Sequence, residues 1–199
     1  MNDEFENLVI DGNENFDFVN YALSFKNINN LEFRNCDFFK EDIIKLAEYK
    51  EYNRIAFIEC SFEDAALINN IKTNSLSFTN DKITNYEFVY QINNLERLTI
   101  VGGIVDADKI NLLKNLEYLR ISNSLVNNID KLFLNKLKYL FIDNTNITDI
   151  TFIKNLSNLE LLSISEEQEL NNKEIINEIK NNIKIILDSI IEMEFPYDE

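Results

Sequence analysis

The sequence predicts an α/β solenoid: a right-handed arc with one parallel concave sheet of about eight strands and helices or turns on the convex side. Three observations carry this. An apolar pair separated by one residue recurs with further apolar residues at fixed offsets, its leading members at positions 8, 31, 55, 76, 98, 119, 140 and 162. The resulting period of 21 to 24 residues is that of a repeat architecture, in which each unit packs only on its neighbours. Within each pair, strand alternation sends the two apolar side chains to one face and the residue between them to the other. Between pairs lie segments with helical spacing or helix-start signals, so successive strands return through a crossover and pair in parallel.

Along the chain, the first unit is weak, with Phe5, Leu8, Ile10 and Asn13, and residues 1–27 read as an N-terminal cap with this opening repeat. The next two are the clearest: Ile28-x-x-Leu31-x-Phe33-x-x-Cys36-x-Phe38 and Tyr52-x-x-Ile55-x-Phe57-x-x-Cys60-x-Phe62. Leu76 and Phe78 mark the fourth. Leu95/Leu98/Ile100/Val105, Leu116/Leu119/Ile121/Val126, Leu137/Leu140/Ile142/Ile147 and Leu159/Leu162/Ile164 mark the rest, so repeats fill residues 28–170. Among the connections, Glu41 to Tyr52 has the apolar spacing of an amphipathic helix, Ser61-x-x-Asp64 and Thr84-x-x-Glu87 read as capping boxes, and Asp106 as the cap of DKINLLKN. Residues 171–199 form a C-terminal cap and acidic tail: NKEIINEIKNN predicts a helix with Asn171 or Asn172 near its cap, IKIIL an extended segment closing the core, and EMEFPYDE a solvated end. With three Gly and one Pro there is no evident linker, and residues 1–199 read as a single domain.

The pattern L-x-x-L-x-L-x-x-N/C-x-L, matched from about residue 5 to 170, resembles the leucine-rich-repeat family. The unit from Leu137 to Leu159, LKYLFIDNTNITDITFIKNLSNL, is similar to the short repeats of bacterial internalin-like proteins. The resemblance implies the arc described above and a concave surface that binds other proteins. One column departs from the family: its asparagine position carries Asn13, Cys36, Cys60, Asp81, Gly103, Ser124, Thr145 and Glu167, so the usual asparagine ladder is replaced mostly by other small or hydrogen-bonding residues.

Charge is concentrated at the ends. Of a net charge of −16, residues 1–17 contribute six acids and no base and residues 166–199 ten acids and three bases, leaving the middle near neutral. Acidic ends oppose end-to-end stacking, which suits a monomer, and would also steer a basic partner. A pI near 4.4 without a basic stripe argues against nucleic acid. The start MNDEFEN is acidic where a secretory signal is basic, and no run approaches about 18 uncharged apolar residues, so a cytoplasmic protein with no membrane segment is expected. The abundance of Asn, Ile and Lys, encoded by A/T-rich codons, fits a bacterial source.

The chain contains no histidine, which removes Ser-His-Asp and Cys-His catalysis and the commonest metal ligand. Gly102-Gly103 is an isolated pair better suited to a tight turn than to a phosphate cradle, and Asp106 with Asp108 is explained by helix capping. No catalytic residue, metal site or cofactor is therefore expected; an enzyme using scattered carboxylates would need a deep acidic pocket. Cys36 and Cys60 share a column in adjacent repeats, close enough to bridge, but in a reducing compartment they read as small buried thiols.

The positive signal lies on the presented face. Residues flanking the core pairs gather Arg97, Tyr118, Arg120, Tyr139 and Phe141 on neighbouring strands, with Asp143 beside them. Tyr, Phe and Arg off the core are what protein interfaces enrich, although cross-strand aromatic stacking alone would account for part of the pattern. The expectation is a non-enzymatic module that binds a protein partner through its concave face. An immunity or inhibitor protein acting on a toxin or enzyme fits, and so does an adaptor or host-directed effector.

Overall fold

A computed structural model describes residues 7–12, 17–25 and 27–187; Phe5, Asn13 and the tail EMEFPYDE lie outside the described residues. The strands and α-helices follow in order as β1 (Asn7–Asp11), α1 (Phe18–Leu23), β2 (Asn30–Arg34), β3 (Asp37–Phe38), α2 (Lys40–Tyr49), β4 (Tyr52–Ile58), β5 (Ser61–Phe62) and β6 (Thr73–Thr79). They continue as β7 (Arg97–Val101), β8 (Ile104–Asp106), α3 (Ala107–Ile110), β9 (Tyr118–Ser122), β10 (Leu125–Asn127), β11 (Tyr139–Phe141), β12 (Leu161–Ile164), α4 (Glu166–Asn171), α5 (Lys173–Ile179) and β13 (Lys184–Leu187). Short 3₁₀ turns at Ala65–Asn70, Val89–Gln91, Ile129–Lys131 and Thr151–Asn155 fill the other connections.

One nine-stranded sheet runs β1-β2-β4-β6-β7-β9-β11-β12-β13, and every adjacent pair is parallel. The register aligns the leading apolar residues in one row, from Leu8 opposite Leu31 through Leu119 opposite Leu140 to Leu162 opposite Ile185. All eight expected strands are present, and IKIIL supplies a ninth. At about 4.8 Å per strand the sheet spans ~38 Å.

The core lies between this sheet and the convex connections. Leu31, Ile55, Leu98, Leu119, Leu140 and Leu162 are at most 1% exposed. In the first half the second core column is phenylalanine: Phe33, Phe57 and Phe78 stack along the solenoid with centroids 6.0 and 5.6 Å apart and interplanar angles of 14° and 17°. Phe38 stands edge-on to Phe33 and Phe57, a geometry in which positive ring edges meet negative faces. From β7 onward isoleucine takes over this column, with Ile100, Ile121, Ile142 and Ile164 buried.

Repeat length decides the convex structure. The longest step, from Leu31 to Ile55, has room for the ten-residue α2, which buries Ile43 and Leu46. The 21-residue steps leave space only for 3₁₀ turns or the one-turn α3, as at Ala65–Asn70 and Ile129–Lys131. Two sequence expectations change here. Ser61 is not a cap: it pairs in a two-stranded sheet with β3 and hydrogen-bonds Asp37, while Asp64 caps the following turn by accepting from Ala66 N–H at 3.2 Å. At Thr84–Glu87 no helix begins; Asn85 accepts from Glu87 N–H at 3.2 Å and the turn starts at Val89. Asp106 does cap α3, accepting from Asp108 N–H at 3.2 Å.

The altered asparagine column works by a different device. The residue before it is left-handed in six consecutive repeats: Asn35, Glu59, Asn80, Gly102, Asn123 and Asn144 have φ between 50° and 83°. Asparagine and glycine tolerate that region best, so the asparagines have moved one position to serve the turn. The column itself still satisfies backbone groups. Asp81 accepts from Cys60 N–H at 2.6 Å and Thr79 N–H at 3.0 Å, and Ser124 accepts from Gly103 N–H at 3.2 Å. In the last copy the buried residue is Gln168 rather than exposed Glu167. Its amide donates to Ile142 O at 3.2 Å and Ile147 O at 2.9 Å. Asn172 opens α5 and likewise ties the cap to the repeats, accepting from Ile150 N–H at 3.2 Å and donating to Thr148 O at 2.8 Å.

Candidate functional site

The sheet register determines which presented side chains meet. Arg97 lies opposite Tyr118 and Tyr118 opposite Tyr139; one step along, Thr99, Arg120, Phe141 and Ser163 form the adjacent row. Strands β7, β9 and β11 thus bring the five expected interface residues together on the face opposite the core. Tyr118 is the hub: its ring lies 5.1 Å from Phe141 and 6.4 Å from Tyr139, and the Arg97 guanidinium sits 5.1 Å from its centroid. Arg120 is held by its Nε, which donates to Ser122 Oγ at 3.0 Å.

These groups are more enclosed than presented positions on an open sheet. Tyr118 is 5% exposed, Phe141 8% and Asp143 4%, whereas Tyr139 is half-buried and Arg97 exposed. Burial pushes the Tyr118 phenol up to about 12, partly offset by Arg120 and Arg97, so it stays a neutral hydrogen-bonding group at pH 7. The strand-entry rim is polar: Lys138 pairs with Glu117 at 2.7 Å, and the Tyr139 hydroxyl reaches Glu160 at 3.4 Å.

The other half of the concave face differs. Glu32 bridges Arg34 at 2.5 Å and Arg54 at 3.3 Å, so both guanidinium groups there share one carboxylate, and Ala56, Ser75 and Ser77 leave β4 and β6 with little side-chain relief. The aromatic rings of the presented face are therefore concentrated on β9 and β11.

A second apolar surface escaped the sequence reading. Ile104 and Leu125, 53% and 56% exposed, lie side by side in the β8–β10 pair at the edge where the strands turn. An open groove of about 830 Å³ runs past them, bordered also by Ile83, Ser124 and Asn146. The signal was available: the column one residue after the ladder reads Asp37, Ser61, Lys82, Ile104, Leu125, Asn146, apolar only in its fourth and fifth members.

Cys36 and Cys60 are free and buried. The Cys60 thiol is pushed up by its hydrogen bond with Cys36 and by burial. Among the described residues no cluster of His, Cys, Asp or Glu has the makings of a metal site, and no helix is long and apolar enough to cross a membrane.

With this geometry in view, the comparisons with known proteins settle the architecture. The chain superimposes on an internalin of Listeria monocytogenes with a TM-score of 0.60 at 19% identity, covering 83% of this chain and 51% of that one. It also matches internalin C2 of the same organism, with a TM-score of 0.62 at 21% identity over 92% of this chain and 77% of that one. The fold is the leucine-rich-repeat solenoid. A third leucine-rich-repeat match is to the TLR13–ssRNA13 complex, with a TM-score of 0.57 at 17% identity over 85% of this chain and 26% of that one. This leucine-rich-repeat chain thus spans about half the first internalin's length. No family model matches the sequence, and no curated protein matches it.

Proposed function

We propose that this protein is a non-enzymatic binding module that holds a protein partner on its concave face through Arg97, Tyr118, Arg120, Tyr139 and Phe141, with Asp143 at the margin. One observation carries the reading: three aromatic rings and two guanidinium groups converge on β7, β9 and β11, on the face the core does not use. Rigid aromatic and arginine groups at the centre of a patch are the usual anchors of protein interfaces. Net charge of −16, carried largely by the two ends, would draw a partner with a basic surface from a distance, while the site itself offers arginine and ring faces at contact. The same charge disfavours nucleic acid; the RNA in the TLR13 complex belongs to that protein.

Within this class, an immunity or inhibitor protein that occludes a bacterial toxin or enzyme suits a small acidic binder, with an adaptor or host-directed effector as the alternative. Two free, buried thiols suit a reducing, cytoplasmic setting. The test is recovery of co-purifying protein from the native cell, followed by measurement of its affinity for the Tyr139→Ala form. A tenfold or greater loss supports the concave site; unchanged affinity moves the site elsewhere, with the Ile104–Leu125 edge next.

A further inference from the structure

Independently of the concave face, we infer that Cys36 and Cys60 form a peroxide-responsive dithiol site, in which the Cys36 sulfur is oxidised and Cys60 then closes an intrachain disulfide between the second and third repeats. Three observations meet here. The first is placement. The chain has two cysteines, and both stand at the ladder position of successive repeats. The pairings of Arg34 with Ile58 and of Asp37 with Ser61 bracket them, so Cys36 faces Cys60 across one strand spacing of about 4.8 Å. Disulfides join Cα atoms about 4.4 to 6.8 Å apart, a range that includes this spacing. Both side chains point into the core, at 1% and 0% exposed. The Cys60 sulfur leans across the gap: it lies 3.4 Å from Phe33 O on β2, the strand leading to Cys36, and accepts from the Cys36 N–H.

The second is asymmetry. The side-chain hydrogen bond from Cys60 holds the Cys36 thiol below the usual cysteine value, against the opposing effects of burial and of Asp11. The same bond pushes the Cys60 thiol up, together with burial and the Asp81 carboxylate. The sulfur that ionises more easily attacks first, so Cys36 reacts with the oxidant and Cys60 resolves. The third is access. The backbone over Cys36 is Gly12, where a Cβ would stand 2.9 Å from Cys36 Sγ. Gly12 follows β1 and is held by its N–H to Arg34 O at 2.8 Å, and among the described residues β1 pairs only with β2. An end strand with one neighbour opens at lower cost than an interior one, which admits a small uncharged oxidant to Cys36 before Cys60. Hydrogen peroxide balances the chemistry. The Cys36 thiolate attacks one peroxide oxygen, the O–O bond breaks, and the departing hydroxide takes the proton Cys36 released and leaves as water. The Cys60 thiolate then attacks the sulfenic acid sulfur, the S–O bond breaks, and the second hydroxide leaves as water with the Cys60 proton. Two thiols are oxidised by two electrons to one disulfide, and one peroxide is reduced to two waters. The bridge closes a loop around α2 and locks the second repeat to the third.

The test treats the full reduced chain with hydrogen peroxide and reads its intact mass and free thiols. The expected product is a monomer lighter by two hydrogens, with no free thiol, that dithiothreitol reverts. Its urea midpoint should exceed that of the reduced chain, because a closed loop restricts the unfolded state. Cys60→Ser should trap the sulfenic acid on Cys36, where dimedone captures it, whereas Cys36→Ser should be labelled at Cys60 at least about tenfold more slowly. Circular dichroism checks that both variants fold, and the mass of the parent decides the bridge without any substitution. Thiols that stay free in the parent, a product that gains oxygen without a bridge, or a bridge between two chains overturns the inference. Equal dimedone labelling of the two variants overturns the roles given to the two sulfurs, and an oxidised midpoint no higher than the reduced one overturns the lock.

Discussion

Arg97 and Tyr118 stand opposite each other on β7 and β9, with the guanidinium carbon 5.1 Å from the ring centroid. Tyr118 also contacts Phe141 and Tyr139 on β11, so one buried ring ties three repeats into a single surface unit. Tyr139 is the member whose removal best separates binding from folding, because it is only half-buried and its hydroxyl contact to Glu160 is long, at 3.4 Å. Tyr139→Ala should weaken partner binding by about 2 kcal/mol, as loss of an interface anchor does, with little change in melting temperature. Phe141→Ala should lower both, since Phe141 is 8% exposed. Isothermal titration beside thermal melts separates the two effects; a Tyr139→Ala protein that melts far below the parent would show that this ring has a structural duty instead.

Leu119 sits on β9, in the interior of the sheet, fully buried between Leu98 and Leu140. A solenoid has no second layer of long-range contacts to absorb a void, so Leu119→Ala should lose roughly 2 to 5 kcal/mol in urea unfolding. An unchanged midpoint would contradict the register.

Asp81 titrates near neutrality. Burial raises its pKa to about 7 against donation from Cys60 and Thr79 N–H, and Glu59 nearby pushes the same way as burial. Because the folded value lies above the unfolded one, its contribution is fully present below about pH 3.8 and is lost as pH rises through 7. Asp81→Asn removes this titration. Between pH 4 and 8 the parent should therefore lose stability relative to the variant, by an amount on the order of a few kcal/mol. Denaturant midpoints that run parallel for the two proteins across this range would disprove the assignment.

Glu59 is the odd member of the left-handed column, with φ of 56° where four of its counterparts are asparagine and one is glycine. Glu59→Asn matches that column, relieves backbone strain and removes a charge near Asp81. It should raise stability by about 1 kcal/mol, measured by chemical unfolding at pH 7. A loss would mean that the glutamate side chain has a role that offsets its strained backbone.

The period and alternation of apolar residues were sufficient to specify the parallel sheet, because an in-register repeat buries every leading residue only when strands stack one above the next. The same columns placed Arg97, Tyr118, Arg120, Tyr139 and Phe141 on one face, since strand side chains alternate regardless of context. Local capping signals were less reliable. Ser61 has the spacing of a helix start, yet a neighbouring strand at Asp37–Phe38 competes for its backbone, and that neighbour is distant in sequence. Likewise Glu167 falls in the ladder column by count, but the one-residue shift to Gln168 depends on how α4 packs under Ile142 and Ile147. Only the tertiary structure decided how enclosed Tyr118 and Phe141 are, and that Ile104 and Leu125 form an exposed apolar edge. Pattern assigns a side chain to a face; what lies over that face depends on chain segments far away in sequence, whose approach is set by shape and charge rather than by periodicity.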